Sequence, residues 1–84
     1  MEFMVTATFR QQDNAEIMPR IPQEQAHIRD LKEQGVVEEL YISSNLSHVW
    51  IVMKAESLEQ LQQYLQSFPL YSYMQLEVLP LSKM

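Results

Sequence analysis

The run Ser57–Leu79, SLEQLQQYLQSFPLYSYMQLEVL, limits more than any other stretch what this chain can fold into. Ser57 is a helix-capping residue, and Gln60 follows three positions later, as a reciprocal capping box requires. Leu58, Leu61, Tyr64, Leu65 and Phe68 then recur every three or four residues, which draws one apolar stripe along a helix. Pro69 ends the pattern because it has no backbone donor and disfavours helical geometry in the residue before it. Tyr71, Tyr73 and Met74 crowd a short turn before a strand at Gln75–Leu81. The segment therefore reads as amphipathic helix, aromatic corner and strand.

The flanking sequence supplies partners for it. Glu2–Phe9 alternates, with Phe3, Val5, Ala7 and Phe9 on one side and Met4, Thr6 and Thr8 on the other, the period of a strand. Gln11 to Pro19 is polar and irregular, and reads as a loop or a frayed first turn. Pro22 is tolerated at a helix start, so the first helix is predicted over Pro22–Gln34, with Ile21, Ile28 and Leu31 as a thin apolar stripe. Gly35, the only glycine in the chain, stands where a left-handed helix terminus wants one. Val36–Ser43 and His48–Lys54 read as strands joined by the polar loop Ser44–Asn45–Leu46–Ser47. The order β-α-β-β-α-β predicts an α+β, ferredoxin-like domain over residues 1–84: a four-stranded antiparallel sheet with two helices on one face.

Two helices cover only one side of such a sheet, and the other side should be polar in a lone protomer. Strand parity puts Met4, Val37, Tyr41, Trp50, Val52 and Leu79 there instead. An apolar patch of that extent marks an interface, so the expectation is a homodimer or higher homo-oligomer. Charge excludes another class of partner. The chain carries 6 Lys and Arg against 11 Asp and Glu, a formal net charge of -5. Nucleic-acid binding rests on clustered bases, and the six are scattered. No apolar run spans a bilayer and no signal pattern opens the chain, so a cytoplasmic location is expected. With no cysteine and no third ligand at helical spacing from either histidine, no metal site or cofactor is expected.

FPLYSYMQLEV (Phe68–Val78) resembles the Leu-Pro-Leu-Phe-Pro-Tyr-Met-Asp-Ile-Glu-Val stretch of the muconolactone isomerase family. The likeness extends back through the helix containing Leu61 and includes Glu33–Gly35, with the Gly35-to-Phe68 spacing preserved. It implies a dimeric α+β barrel and a double-bond shift within a five-membered lactone. That reaction needs a base and a donor or cation for the enolate-like oxygen. Where the family carries a His and a Lys on the first strand and an Arg-His pair after the helix glycine, this chain has Met4 and Thr6, then Glu38 and Glu39.

The candidate site residues each have two readings. Glu39 on the second strand can serve as a base with Tyr41 as donor to an oxyanion, or the two can form the rim of an interface. His48 beside Trp50 can shuttle protons along an aromatic wall, or stand idle at a hairpin. His27 borders a groove or lies on a helix surface. Tyr71 and Tyr73 close a pocket at the corner or plug the sheet end. The functional expectation is a small apolar or aromatic ligand, turned over by proton shift with Glu39 or His48 as base and Tyr41 or Tyr73 as donor. The alternatives are binding without turnover, or an assembly module.

Overall fold

A computed structural model describes residues 1–45 and 47–82; Leu46 of the expected hairpin loop lies outside them. The elements run β1 (Glu2–Phe9), α1 (Asn14–Ile17), α2 (Ile21–Glu33), β2 (Val37–Ile42), β3 (His48–Lys54), α3 (Leu58–Gln66) and β4 (Met74–Leu81). The strands form one antiparallel sheet in the order β2-β3-β1-β4. The two long helices lie on one face, so the fold is ferredoxin-like α+β. Phe3, Val5, Ile51, Met53, Leu61, Leu65 and Phe68 are buried between the layers. The alternation read from β1 holds: Phe3, Val5 and Ala7 are buried, and the residues between them are half-buried.

Helix ends follow local chemistry. The Ser57 hydroxyl accepts from Gln60 N at 3.1 Å, and the Gln60 side chain accepts from Glu56 N. The cap is therefore reciprocal, but its return bond reaches one residue earlier than the capping box specifies. Leu58, read as part of the apolar stripe, is exposed. It sits on the first turn, before the helix has reached the core. At the far end of α2, Gly35 has φ 79°. Val36 N bonds to Leu31 O at 2.9 Å and Gly35 N to Lys32 O at 3.1 Å, which is the Schellman arrangement. Leu31 and Val36 both enter the core, supplying its hydrophobic contact.

Two expectations are corrected. The Gln11–Pro19 stretch is not a loop: 3₁₀ turns at Gln11–Asp13 and Met18–Arg20 flank α1 and lead directly into α2. Buried Ile17 anchors the segment, and Pro19 is accommodated at the start of a turn, where its missing donor costs nothing. Val37 is not on the uncovered face. The β2–β3 register shifts between Val37 and Glu39, so Glu38 is the extra residue of a bulge and Val37 turns inward opposite Met53. Leu40 and Ile42 follow it on the helix side, opposite Ile51 and Val49.

Candidate active site

Between the helix-covered face of the sheet and α2 lies a cavity of about 400 Å³. That volume is at the lower end of the roughly 300–1,000 Å³ usual for small-molecule sites. Ala7 and Phe9 at the end of β1, Leu40 and Ile42 of β2, and Val49 and Ile51 of β3 form its floor. Ile17, Met18, Ile21 and Ile28 form the helical wall, and Phe68, Leu70 and Met74 close the corner. β1 ends and β3 begins here, and the α1–α2 segment passes over them, anchored by buried Ile17.

One ionisable side chain among the described lining residues enters this apolar space. Glu24 of α2 is 8% exposed, and Leu70 N donates to its Oε1 at 3.3 Å. Burial pushes the Glu24 carboxyl above its ordinary range, and the Leu70 hydrogen bond opposes that rise only in part. The protonated form therefore persists to higher pH than on a free side chain, which moves the group toward useful acid–base work. The polar lining otherwise consists of Asn14, Gln25, Asn45 and Ser47. Asn45 Oδ1 accepts from Ser43 Oγ, Ser47 N and Ser47 Oγ, which fixes the orientation of its amide. The side-chain amides can donate to a carbonyl oxygen that gains charge, whereas the Ser47 hydroxyl already gives its proton to Asn45.

Glu24 escapes a reading by residue type because nothing marks it chemically. Its signal is positional. Ile17, Ile21, Glu24, Ile28 and Leu31 are spaced four, three, four and three residues apart, so a carboxylate occupies a place in the apolar stripe. A charged residue there is either paired or functional.

The residues singled out earlier lie elsewhere. Tyr41 and Glu39 are neighbours on the sheet's uncovered face, with the Tyr41 hydroxyl donating to Glu39 Oε2 at 2.7 Å. That acceptor raises the Tyr41 phenol above its ordinary value. His48 stacks on Trp50, centroids 5.8 Å apart, on the same face. The Ser67 hydroxyl donates to the Tyr64 carbonyl, so in its 2.7 Å contact with His27 the Nε2–H of the ring is the donor. His27 also meets Phe68 edge-on. Tyr73 lies under the Arg20 guanidinium, 5.3 Å away, and Tyr71 is exposed at the corner. The structure thus brings together Glu39 with Tyr41, and His48 with Trp50. None of Tyr41, His48, Trp50 and Tyr73 lines the cavity. Among the described residues no cluster of metal-ligating side chains occurs, and no helix is long and apolar enough to cross a membrane.

A two-layer α+β protein with an apolar, ligand-sized cavity and one buried carboxyl is the class that fold and site define. Residues 1–84 match the sequence profile of the muconolactone delta-isomerase family, and the chain belongs to that family. It is similar to muconolactone isomerase itself, solved by crystallography, at 25% identity with a TM-score of 0.83, covering 100% of this chain and 91% of that one. It is also similar in fold to 5-chloro-2-hydroxyhydroquinone dehydrochlorinase from Burkholderia phenoliruptrix, solved in complex with 2,5-dihydroxybenzoquinone. There the identity is 13% and the TM-score 0.83, over 98% of this chain and 94% of that one. A search of the curated proteins finds no match.

Proposed function

We propose that the chain binds a small, mostly apolar ring compound in the cavity under α2 and shifts a proton on it, as in isomerisation of an unsaturated lactone or enol. The observation that carries this reading is the buried Glu24 carboxyl in an otherwise apolar, ligand-sized cavity. Ionised Glu24 removes a proton from the carbon next to a carbonyl. The electron pair moves toward the carbonyl oxygen, where side-chain amide donors of the lining steady the charge. The protonated carboxyl then returns the proton to the far end of the unsaturated system, and the double bond moves. No atom is gained or lost, and no redox partner is required. A carboxyl with a raised pKa suits both halves of the cycle, since it must give up and regain the same proton near working pH. Family membership and the likeness to muconolactone isomerase support the same class of reaction.

The test is exchange of solvent deuterium into a simple unsaturated γ-lactone, followed by NMR together with migration of its double bond. Glu24→Gln keeps an acceptor for Leu70 N and should fold normally. It should slow both signals by roughly 10²–10⁴-fold, the usual contribution of a positioned acid–base group. Unchanged exchange in the variant would overturn the reading.

The uncovered face of the sheet supports self-association as a separate property. Tyr41, Trp50 and Leu79 are exposed on it, and Met4 lies across from both Val52 and Leu79. On this reading Glu39, Tyr41, His48 and Trp50 serve the contact between copies in the cytoplasm, while the reaction belongs to Glu24.

A further inference from the structure

We infer that the cavity selects uncharged ligands, of phenol, lactone or ester type, and turns away their carboxylate-bearing counterparts. The inference rests on the cavity being the ligand site, and it follows from which charges surround that cavity.

Among the described lining residues there is no Lys, Arg or His, and the one ionisable group is an acid. A ligand carboxylate entering this space loses its hydration, which is strongly unfavourable unless a cation replaces the lost water. Basic groups elsewhere among the described residues have other surroundings. Arg10 pairs with Asp13 at 3.2 Å. Arg20 donates to the Glu16 carbonyl and lies over Tyr73. His27 is bonded to Ser67, and Lys54 faces Glu38 at 3.7 Å at the far end of the sheet. His48 is stacked on Trp50 on the opposite face. Arg29 and Lys32 of α2 are exposed and do not line the cavity.

Glu24 adds to the discrimination in either of its states. When ionised it repels an anion across a low-dielectric gap, where little water screens the charge. When protonated it is a donor suited to a neutral carbonyl or hydroxyl. The apolar lining and the amides of Asn14, Gln25 and Asn45 complete a site for a flat ring with one or two polar edges. Rejection of an anion here comes from an absent counter-charge, so a single added cation should reverse it. Met18 is the place to add one, because it lines the cavity yet is 64% exposed, and a lysine there keeps its ammonium hydrated.

The experiment compares matched pairs by calorimetry at neutral pH: 4-hydroxybenzoate against its methyl ester, and 4-hydroxyphenylacetate against its methyl ester. The expected result is that each ester binds at least tenfold more tightly than its acid. Met18→Lys should narrow or invert that ratio while leaving the thermal unfolding of the unliganded protein close to wild type. Acids binding as tightly as their esters would overturn the inference of neutral selectivity and leave the cavity reading standing. If no ester binds, the cavity reading fails and takes this inference with it. Amide-shift mapping separates the last case from binding elsewhere, since cavity ligands must move Ala7, Ile28 and Leu70 rather than Tyr41 and Trp50.

Discussion

Glu24 meets opposed demands. Its methylenes fit the apolar stripe of α2, while its carboxylate would have to lose water with one backbone donor as compensation. The consequence for stability has a definite sign. In the unfolded chain the group ionises in the ordinary range, near about 4.3. In the native protein it holds its proton to higher pH. Below the ordinary range both states are protonated, and the stability associated with the neutral buried form is fully present. As pH rises the unfolded state ionises first, and this contribution is lost progressively through the native pKa. Glu24→Gln cannot ionise and escapes the loss. Thermal unfolding from pH 4 to pH 7 should therefore show the melting temperature of the variant gaining steadily on wild type. Glu38, which its hydrogen bond with Glu2 also holds above the ordinary value, is common to both proteins and cancels in the difference. A difference that does not vary with pH would remove Glu24 as a group of altered pKa.

At the scale of elements, the turns are decided by few residues, and Gly35 is the sharpest case. Its φ of 79° lies in the left-handed region, and an added Cβ would meet nothing within 4 Å. The cost of Gly35→Ala is therefore purely conformational, roughly 1–2 kcal/mol. In a domain of this size each kcal/mol lowers the melting temperature by about 4–8 °C. Gly35→Asn should lose less, because asparagine tolerates that region, and equal losses for Ala and Asn would contradict the account. This boundary was legible in the sequence for the same reason it matters: a sole glycine falls where the helical period stops. Element order, sheet parity and the α3 cap were legible too, since each is set by neighbours within about four residues. The bulge at Glu38 was not. It depends on how β2 pairs with β3, and parity counted along one strand cannot register an extra residue. An apolar pocket near the corner was expected from the sequence, but its place under α2 was not, because the lining comes from six elements and the one ionisable member among the described lining residues is an ordinary glutamate. Tyr41, His48 and Trp50 drew attention by residue type, whereas burial distinguishes Glu24.

The whole molecule presents an unequal pair of sheet faces. One is roofed by helices, and the other carries an aliphatic and aromatic band across all four strands: Tyr41 opposite Trp50, Val52 opposite Met4, and Met4 opposite Leu79. Tyr41 is 58% and Leu79 63% exposed, and Trp50 is 37% exposed. Large aromatics each offer about 150–250 Å² for burial, so two such faces packed together at the usual sheet spacing of about 10 Å would remove most of this band from water. Polar Thr6, Thr8 and Glu77 at the neighbouring positions of β1 and β4 interrupt the band without breaking it. Two further features suit an interface: His48 stacked flat on Trp50, and Tyr41 tied to Glu39, present the aromatic surface in fixed orientation before any contact forms. Preorganised side chains lose less entropy on association, which favours a specific contact over loose aggregation. Wild-type protein should therefore sediment at two or more times the 9.9 kDa of one chain. Trp50→Glu places a charge within the band, between Tyr41 and Thr6, where burial is unfavourable, and it should sediment as a single chain with its far-UV circular dichroism unchanged. The cavity lies on the other side of the sheet, so the variant's affinity for a neutral ester should stay within about twofold of wild type. A wild-type protein that sediments at one chain's mass, or a Trp50→Glu profile identical to wild type, would show that this face meets water in the working protein.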